Sequence, residues 1–189
     1  TLESGLRLAM ARGRLMQALP SEDGVMVAVR RSVKAVEAAI AADEEVSVAS
    51  VNGPASVVLA GREAAVSAVL ARLETKGTRR AVSHAFHSPL MAPMSAEFQA
   101  VLKVSSLGVA RVPLASSVTG TRVSPGAVTE PHHWVRQLTG AVQFESALES
   151  AQVADTRLAE STLELGPPPE LTRKAPVSYT PLTLPTKRE

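Results

Sequence analysis

The chain has 189 residues, a formal net charge of +2, four histidines, no cysteine and only 3% aromatic residues. Such a length admits one domain with a real core or two small subdomains, and the missing cysteine excludes disulfides, thiolate metal sites and a cysteine nucleophile. No apolar run is long enough to span a bilayer, the N-terminus has no signal-peptide layout, and a cytoplasmic location is the simplest expectation.

Residues 2–17 read as a helix, with Leu2, Leu6, Ala9 and Gly13 on one face and Arg7, Arg12 and Arg14 available for polar work. Pro20 and Gly24 end it. Val25–Val29 is a short apolar strand, and Ser32 caps a helix running to about Ala42. Val46–Val51 alternates as a strand, Asn52-Gly53-Pro54 is a turn, and Val57–Ala60 is a third strand. Arg62–Lys76 reads as a helix stopped by Gly77, followed by a strand over Arg79–Ser83. That order, β-α-β-β-α-β, is the pattern of a ferredoxin-like sandwich. Beyond it, Pro89–Leu102 reads as a helix and Val112–Val118 as a strand closed by Thr119-Gly120. Residues 121–130 read as a loop, and Pro131–Leu138 and Phe144–Ala151 as helices. Leu158–Leu165 reads as a strand, and Gly166-Pro167-Pro168-Pro169 as a break that can start a helix at Pro169.

The expected fold class is therefore α/β, with a ferredoxin-like small subdomain inserted into a larger one. Residues 1–20 and 84–173 are assigned to the large part and 21–83 to the insert. Residues 174–189 read as a non-native or disordered tail.

The charge does not point to nucleic acid. From Glu170 to the end, Arg173, Lys174, Lys187 and Arg188 stand against Glu170 and Glu189, so the rest of the chain is balanced. The cluster Lys76, Arg79, Arg80 lacks the interleaved rings that stack on bases. It reads first as a solvated strand edge, and second as a face for an acidic carrier protein or a phosphate.

The densest chemistry lies in His84-Ala85-Phe86-His87-Ser88-Pro89-Leu90-Met91, where two scarce histidines flank a scarce ring. His87 precedes a helix and is a candidate general base. On composition alone, both histidines are also consistent with ordinary structural roles. Arg12 is a candidate carboxylate anchor, because a guanidinium grips a carboxylate with two parallel hydrogen bonds, and Gly13 beside it allows another backbone to approach; on the residues alone, a solvated helix arginine is the ordinary reading. His132 and His133 are adjacent and point apart on a helix, so no metal site is expected. Glu164 reads as a loop-shaping residue. No G-x-S-x-G nucleophile turn occurs in residues 1–189, and Ser88 lacks that context.

Several segments together resemble one family, the acyltransferase domain of modular type I polyketide synthases, related to malonyl-CoA:acyl carrier protein transacylases. They are Ala11–Pro20, Val48–Pro54, Val57–Gly61, His84–Met91, Val118-Thr119-Gly120, His133–Leu138, Val142-Gln143-Phe144 and Leu163–Pro167. The order and spacing hold from residue 1 to about Thr172, after which the chain departs from the pattern and looks like joined adapter sequence.

The resemblance implies an α/β-hydrolase-like large subdomain and a serine–histidine mechanism. A serine would take a malonyl unit from malonyl-CoA and pass it to the phosphopantetheine thiol of an acyl carrier protein. His87 would be the catalytic histidine and Arg12 would bind the malonyl carboxylate. Phe86 would exclude branched extender units, and Gln137 would supply a backbone carbonyl that orients the histidine. His84 and Asn52 are supporting motif residues. No resident cofactor is expected, since coenzyme A and phosphopantetheine arrive with the substrates. A neighbouring ketosynthase domain is the expected covalent partner. The family's serine lies one helix upstream of Arg12, so the chain is expected to be an N-terminally truncated fragment, marginal in stability and inactive alone. A discrete transacylase of fatty acid synthesis and a non-enzymatic ferredoxin-like binding module are the alternatives.

Overall fold

The computed structural model describes residues 1–20 and 23–153. The expected strand at 158–165, the Leu163–Pro167 motif, the helix start at Pro169 and the 174–189 tail lie outside the described residues.

Helix α1 (Leu2–Gln17) is capped by Thr1, whose hydroxyl accepts from the Ser4 amide. Then follow β1 (Gly24–Val29), α2 (Val33–Ile40), β2 (Val46–Gly53), β3 (Ser56–Arg62), α3 (Glu63–Arg72) and β4 (Thr78–Arg79). Ser32 caps α2 through its side chain, as its position before the apolar stripe predicts. The four strands lie in the order β4-β1-β3-β2 with antiparallel neighbours, the ferredoxin-like arrangement.

Alternation decides which side chain faces where. In β1, Val25, Val27 and Val29 are buried, and they join Val36 of α2 and Val66 and Val69 of α3 in one core. Leu59 and Val57 of β3 enter the same core, whereas Val58 and Ala60 enter a second cluster on the opposite face. β2 departs from simple alternation. Its register shifts between Val48 and Ser50, so Ala49 is an extra residue in the ladder. Val46 and Val48 lie on the core side, and Val51, paired with Val57, is buried too. The bulge thus reconciles an apolar spacing of two with a following spacing of three.

Several limits differ from expectation. α3 ends at Arg72 because Glu74 adopts a left-handed conformation (φ 47°), which cannot continue a right-handed helix. Arg31 then caps the exposed Leu73 and Glu74 carbonyls, both at 3.1 Å. Gly77 serves a different end, since a Cβ there would meet Val27 Cγ1 at 2.2 Å, and only glycine lets the chain cross β1 this closely. β4 covers two residues, since after the Arg80 amide bonds to Met26 O the chain turns through Arg80 and Val82.

The helix expected over Pro89–Leu102 is split into a 3-10 turn, Pro89–Met94, and α4 (Ser95–Lys103). Pro93 explains the break, because its ring and missing N–H are incompatible with a continuous α-helix. β5 (Leu114–Ser116) pairs with β6 (Thr121–Val123), a hairpin where a loop was expected. α5 (Pro131–Thr139), β7 (Val142–Gln143) and α6 (Phe144–Val153) complete the described chain. β7 was not foreseen. It pairs in parallel with β2, at Ser50↔Val142 and Val51↔Gln143, and extends the sheet to five strands.

A helical cluster of Leu15, Met91, Met94, Phe98, Leu102 and Leu138 joins α1, the 3-10 turn, α4 and α5. On α1, the inward face is Leu8 and Leu15, continued by Leu19 just past the helix end, not the expected Leu2/Leu6 stripe. Leu2 is 81% exposed and Met10 74%. A helix with two apolar stripes leaves the choice to its neighbours.

Leu59 is completely buried in the valine core. Leu59→Ala is expected to lower stability by about 2–5 kcal/mol, measured by urea unfolding, whereas exposed Leu6→Ala should stay within about 0.5 kcal/mol.

Candidate functional site

Arg12 stands one helical turn beyond Leu8 and one before Leu15, on the inward face of α1. Its guanidinium is therefore carried into the helical cluster. Its Nε is buried and has no hydrogen-bond partner among the described residues, and burial lowers its pKa from the usual arginine value. The other two arginines of the helix behave differently: Arg7 pairs with Glu3 at 2.6 Å and Arg14 with Glu97 at 3.2 Å, both on the surface. Arg12 lines a cavity of about 300 Å³ with Gly5, Leu8, Ala9, Phe98, Leu102, Leu107, Trp134 and Gln137. The walls are mostly apolar. A desolvated cation in such a space favours an anion as its ligand. Trp134 is held by its indole N–H, which donates to Val128 O at 2.8 Å. Among the described residues, no backbone approaches Gly13 as expected, since a Cβ there would meet none of their atoms within 4 Å.

The His84–Leu90 segment lies against the sheet face opposite α2 and α3, where Ala49, Val58, Ala60 and Ala85 pack. Small side chains make this approach possible. At Gly24 a Cβ would already sit 3.2 Å from the Ala85 amide nitrogen.

The two histidines of the segment are in different states. His84 is buried, with Nε2 3.1 Å from Leu19 O and Nδ1 2.9 Å from Ser83 Oγ. A carbonyl only accepts, so Nε2 carries the hydrogen and Nδ1 accepts from the serine. Both nitrogens are used, and His84 clamps the segment to the end of α1. His87 has φ 58°, a left-handed backbone that costs a non-glycine residue about 1–2 kcal/mol. Its Nδ1 lies 3.2 Å from Gly140 O, so Nδ1–H donates there and Nε2 keeps its lone pair. Burial first, then the Arg12 charge, lower the His87 pKa, against hydrogen bonding to the Gly140 and Gln137 backbones. The imidazole is thus neutral near pH 7, with the Nε2 lone pair able to take a proton.

Gln137 was expected to supply the orienting carbonyl. Gly140 makes the 3.2 Å contact, Gln137 adds a second backbone acceptor, and Gln137 also lines the Arg12 cavity. Phe86 packs against the helical cluster and tilts at 44° to the His84 ring, 5.9 Å away, without lining the cavity. Asn52 accepts from Ser50 Oγ at 2.5 Å at the end of β2. Ser88 is buried, donating to Ala85 O and accepting from Leu90 N, which makes it a cap. His133 is buried beside Ser116 Oγ at 3.3 Å, whereas His132 is exposed. Among the described residues, no group of three histidine or acidic side chains could hold a metal ion, and no helix is long and apolar enough to cross a membrane.

Sequence reasoning missed Gly140 and Ser47, whose hydroxyl lies 3.1 Å from His87 O. Gly140 acts through its main chain, which no side-chain pattern reveals. Its position just after α5, where chains commonly turn away, was the available clue.

Residues 1–178 match the acyl transferase domain family. The chain is 42% identical over 170 residues to a mycoketide-CoA synthase of Mycobacterium tuberculosis, covering 88% of this chain and 4% of that protein. It is 43% identical over 152 residues to polyketide synthase GfsA of Streptomyces halstedii, covering 78% and 2%. Among solved structures, the acyltransferase domain from the second module of the salinomycin polyketide synthase superposes with a TM-score of 0.86. That pair shares 38% identity over 96% of this chain and 44% of the other. An acyl carrier protein S-malonyltransferase from Vibrio cholerae superposes with a TM-score of 0.76 at 27% identity, over 88% and 56%. The chain thus spans a small fraction of these synthases and under half of the salinomycin domain structure.

His87 and His133 both have pKa values lowered from 6.5, mainly by burial. The unfolded chain then binds more protons as pH falls below about 6.5, so stability falls with it. The urea midpoint should drop between about pH 7.5 and pH 5.5, and the double variant His87→Gln/His133→Gln should flatten that slope.

Proposed function

The chain belongs to the acyl transferase family, of polyketide synthase type, and from that premise we propose that it forms the carboxylate-binding and proton-transfer half of a malonyl-transferring site. The observation that carries this reading is Arg12: a buried guanidinium with an unpartnered Nε, facing a cavity of about 300 Å³ and close enough to His87 to lower its pKa. A malonyl unit has the matching shape, one carboxylate at one end and a reactive thioester at the other.

In this reading His87 Nε2 takes the proton of a serine hydroxyl as that oxygen attacks the thioester carbonyl. The C–S bond then breaks, and the imidazolium returns the proton to the coenzyme A thiol. The second half repeats these steps with the phosphopantetheine thiol of an acyl carrier protein as acceptor. Arg12 holds the carboxylate through charge-assisted hydrogen bonds. Binding that carboxylate also cancels the positive field that depresses the His87 pKa, so the base strengthens when substrate is present. The serine lies outside residues 1–189, which contain no G-x-S-x-G turn, and the 189-residue chain alone carries no acyl group. Phe86 selects unbranched malonyl over methylmalonyl units by filling space beside the acyl carbon, its ring standing one residue before His87. The protein works in the cytoplasm, next to a ketosynthase.

The reading is tested by acyl loading and transfer in the serine-containing domain of the synthase. His87→Gln should lower transfer by about 10²–10⁴-fold. Arg12→Ala should abolish the preference for malonyl-CoA over acetyl-CoA. Phe86→Ser should raise the methylmalonyl-to-malonyl ratio by about 10-fold or more. Unchanged malonyl preference in Arg12→Ala overturns the reading, as does labelling of the 189-residue chain by malonyl-CoA.

A further inference from the structure

We propose that Ser47 is a positioning residue for His87, and that strand β2 fixes the imidazole from two sides. This rests on His87 being the base. Ser47 has one hydroxyl hydrogen and two acceptors in reach, His87 O at 3.1 Å and Ala60 O at 3.4 Å. The shorter contact goes to the His87 carbonyl. That carbonyl belongs to the one residue of the His84–Leu90 segment with a left-handed backbone, a conformation that persists only where surrounding contacts over-determine it.

The second hold comes from the other end of the same strand. Ser50 and Val51 pair in parallel with Val142 and Gln143 of β7, and Gly140, two residues before β7, receives the His87 Nδ1–H. β2 therefore anchors the main chain of His87 through Ser47, and the acceptor of its ring through β7. Ser47 and Ser50 pair with Ala60 and Val58, residues of the cluster that faces the His84–Leu90 segment. The Ala49 bulge lies between them and keeps Val48 and Val51 on the other side. Without the Ser47 bond, the backbone of His87 is free to relax to negative φ, which swings the ring away from Gly140 and Arg12.

The imidazole itself reports this. An NMR titration of the 189-residue chain compares Ser47→Ala and Ser47→Thr with the unaltered chain. Arg12 is the charged group acting on His87. In Ser47→Ala the His87 pKa is expected to rise by about half a unit or more, a roughly threefold gain in proton affinity, with loss of the Nδ1–H tautomer preference. Labelling of His87 by diethyl pyrocarbonate should increase in the same variant. Ser47→Thr keeps the hydroxyl and should match the unaltered chain in both readouts. The His84 resonances, set by Leu19 and Ser83, should match those of the unaltered chain at any one pH and so report that the fold is intact. Should alanine unfold the chain, Ser47→Cys, with its weaker donor, gives the same comparison. Unchanged His87 titration and tautomer in Ser47→Ala overturn the proposal, as does an alanine-like Ser47→Thr. None of these readouts involves acyl transfer, so a failure here is distinct from inactive or active His87→Gln in the loading assay.

Discussion

The close approach of the His84–Leu90 segment to the sheet governs the rest of the architecture. A chain can lie that near a sheet only where small side chains leave room, and on this face Gly24, Ala28, Ala49, Ala60 and the serines of β2 leave it, beside the larger Val58 and Met26. The opposite face is built from valines and a leucine, and it takes the two helices. One sheet thus has two characters. The bulky side supplies apolar burial in the usual way. The side with the smaller residues holds the His84–Leu90 segment at a fixed height, with His84 fastened to Leu19 at the end of α1 and His87 raised between Gly140 and Arg12.

The site's chemistry follows from where charge has been removed from water. Arg12 sits among leucine, phenylalanine and tryptophan, and its desolvation is offset by no protein anion among the described residues. His87 is kept neutral by the same burial and by the Arg12 field, while two backbone acceptors oppose that shift and set the tautomer. Neither residue would have this character at the surface, as Arg7 and Arg14 on the same helix show.

The four-strand order was legible because alternating valines, a serine cap and a glycine–proline turn all agree locally. The bulge at Ala49 was also written in the chain, as apolar spacing that changes from two to three, but the eye reads V-S-V-A-S-V as regular. β7 was not legible: two residues carry no period, and their strand state comes from the free edge of β2. The burial of α1 was misjudged because the helix offers two apolar stripes, and its packing against the 3-10 turn, α4 and the cluster residue Leu138 of α5 decides between them. At the candidate site, Arg12 and His87 were singled out through likeness to a family, since isolated arginines and histidines are ordinary. Their electrostatic contact, and the backbone acceptor at Gly140, depend on tertiary approach and had no local sign.

The dependence of His87 on β2 also concerns how such domains can be recombined. Exchange of the β-α-β-β-α-β unit between related domains looks modular, because its valine core is self-contained. Yet β2 belongs at once to that core, to β7 through the ladder, and to the histidine through Ser47. A crossover placed between residue 53 and residue 84 would inherit the strand from one parent and the histidine from the other. Productive crossovers therefore keep β2, the His84–Leu90 segment and the Gly140–Gln143 stretch as a single inherited set.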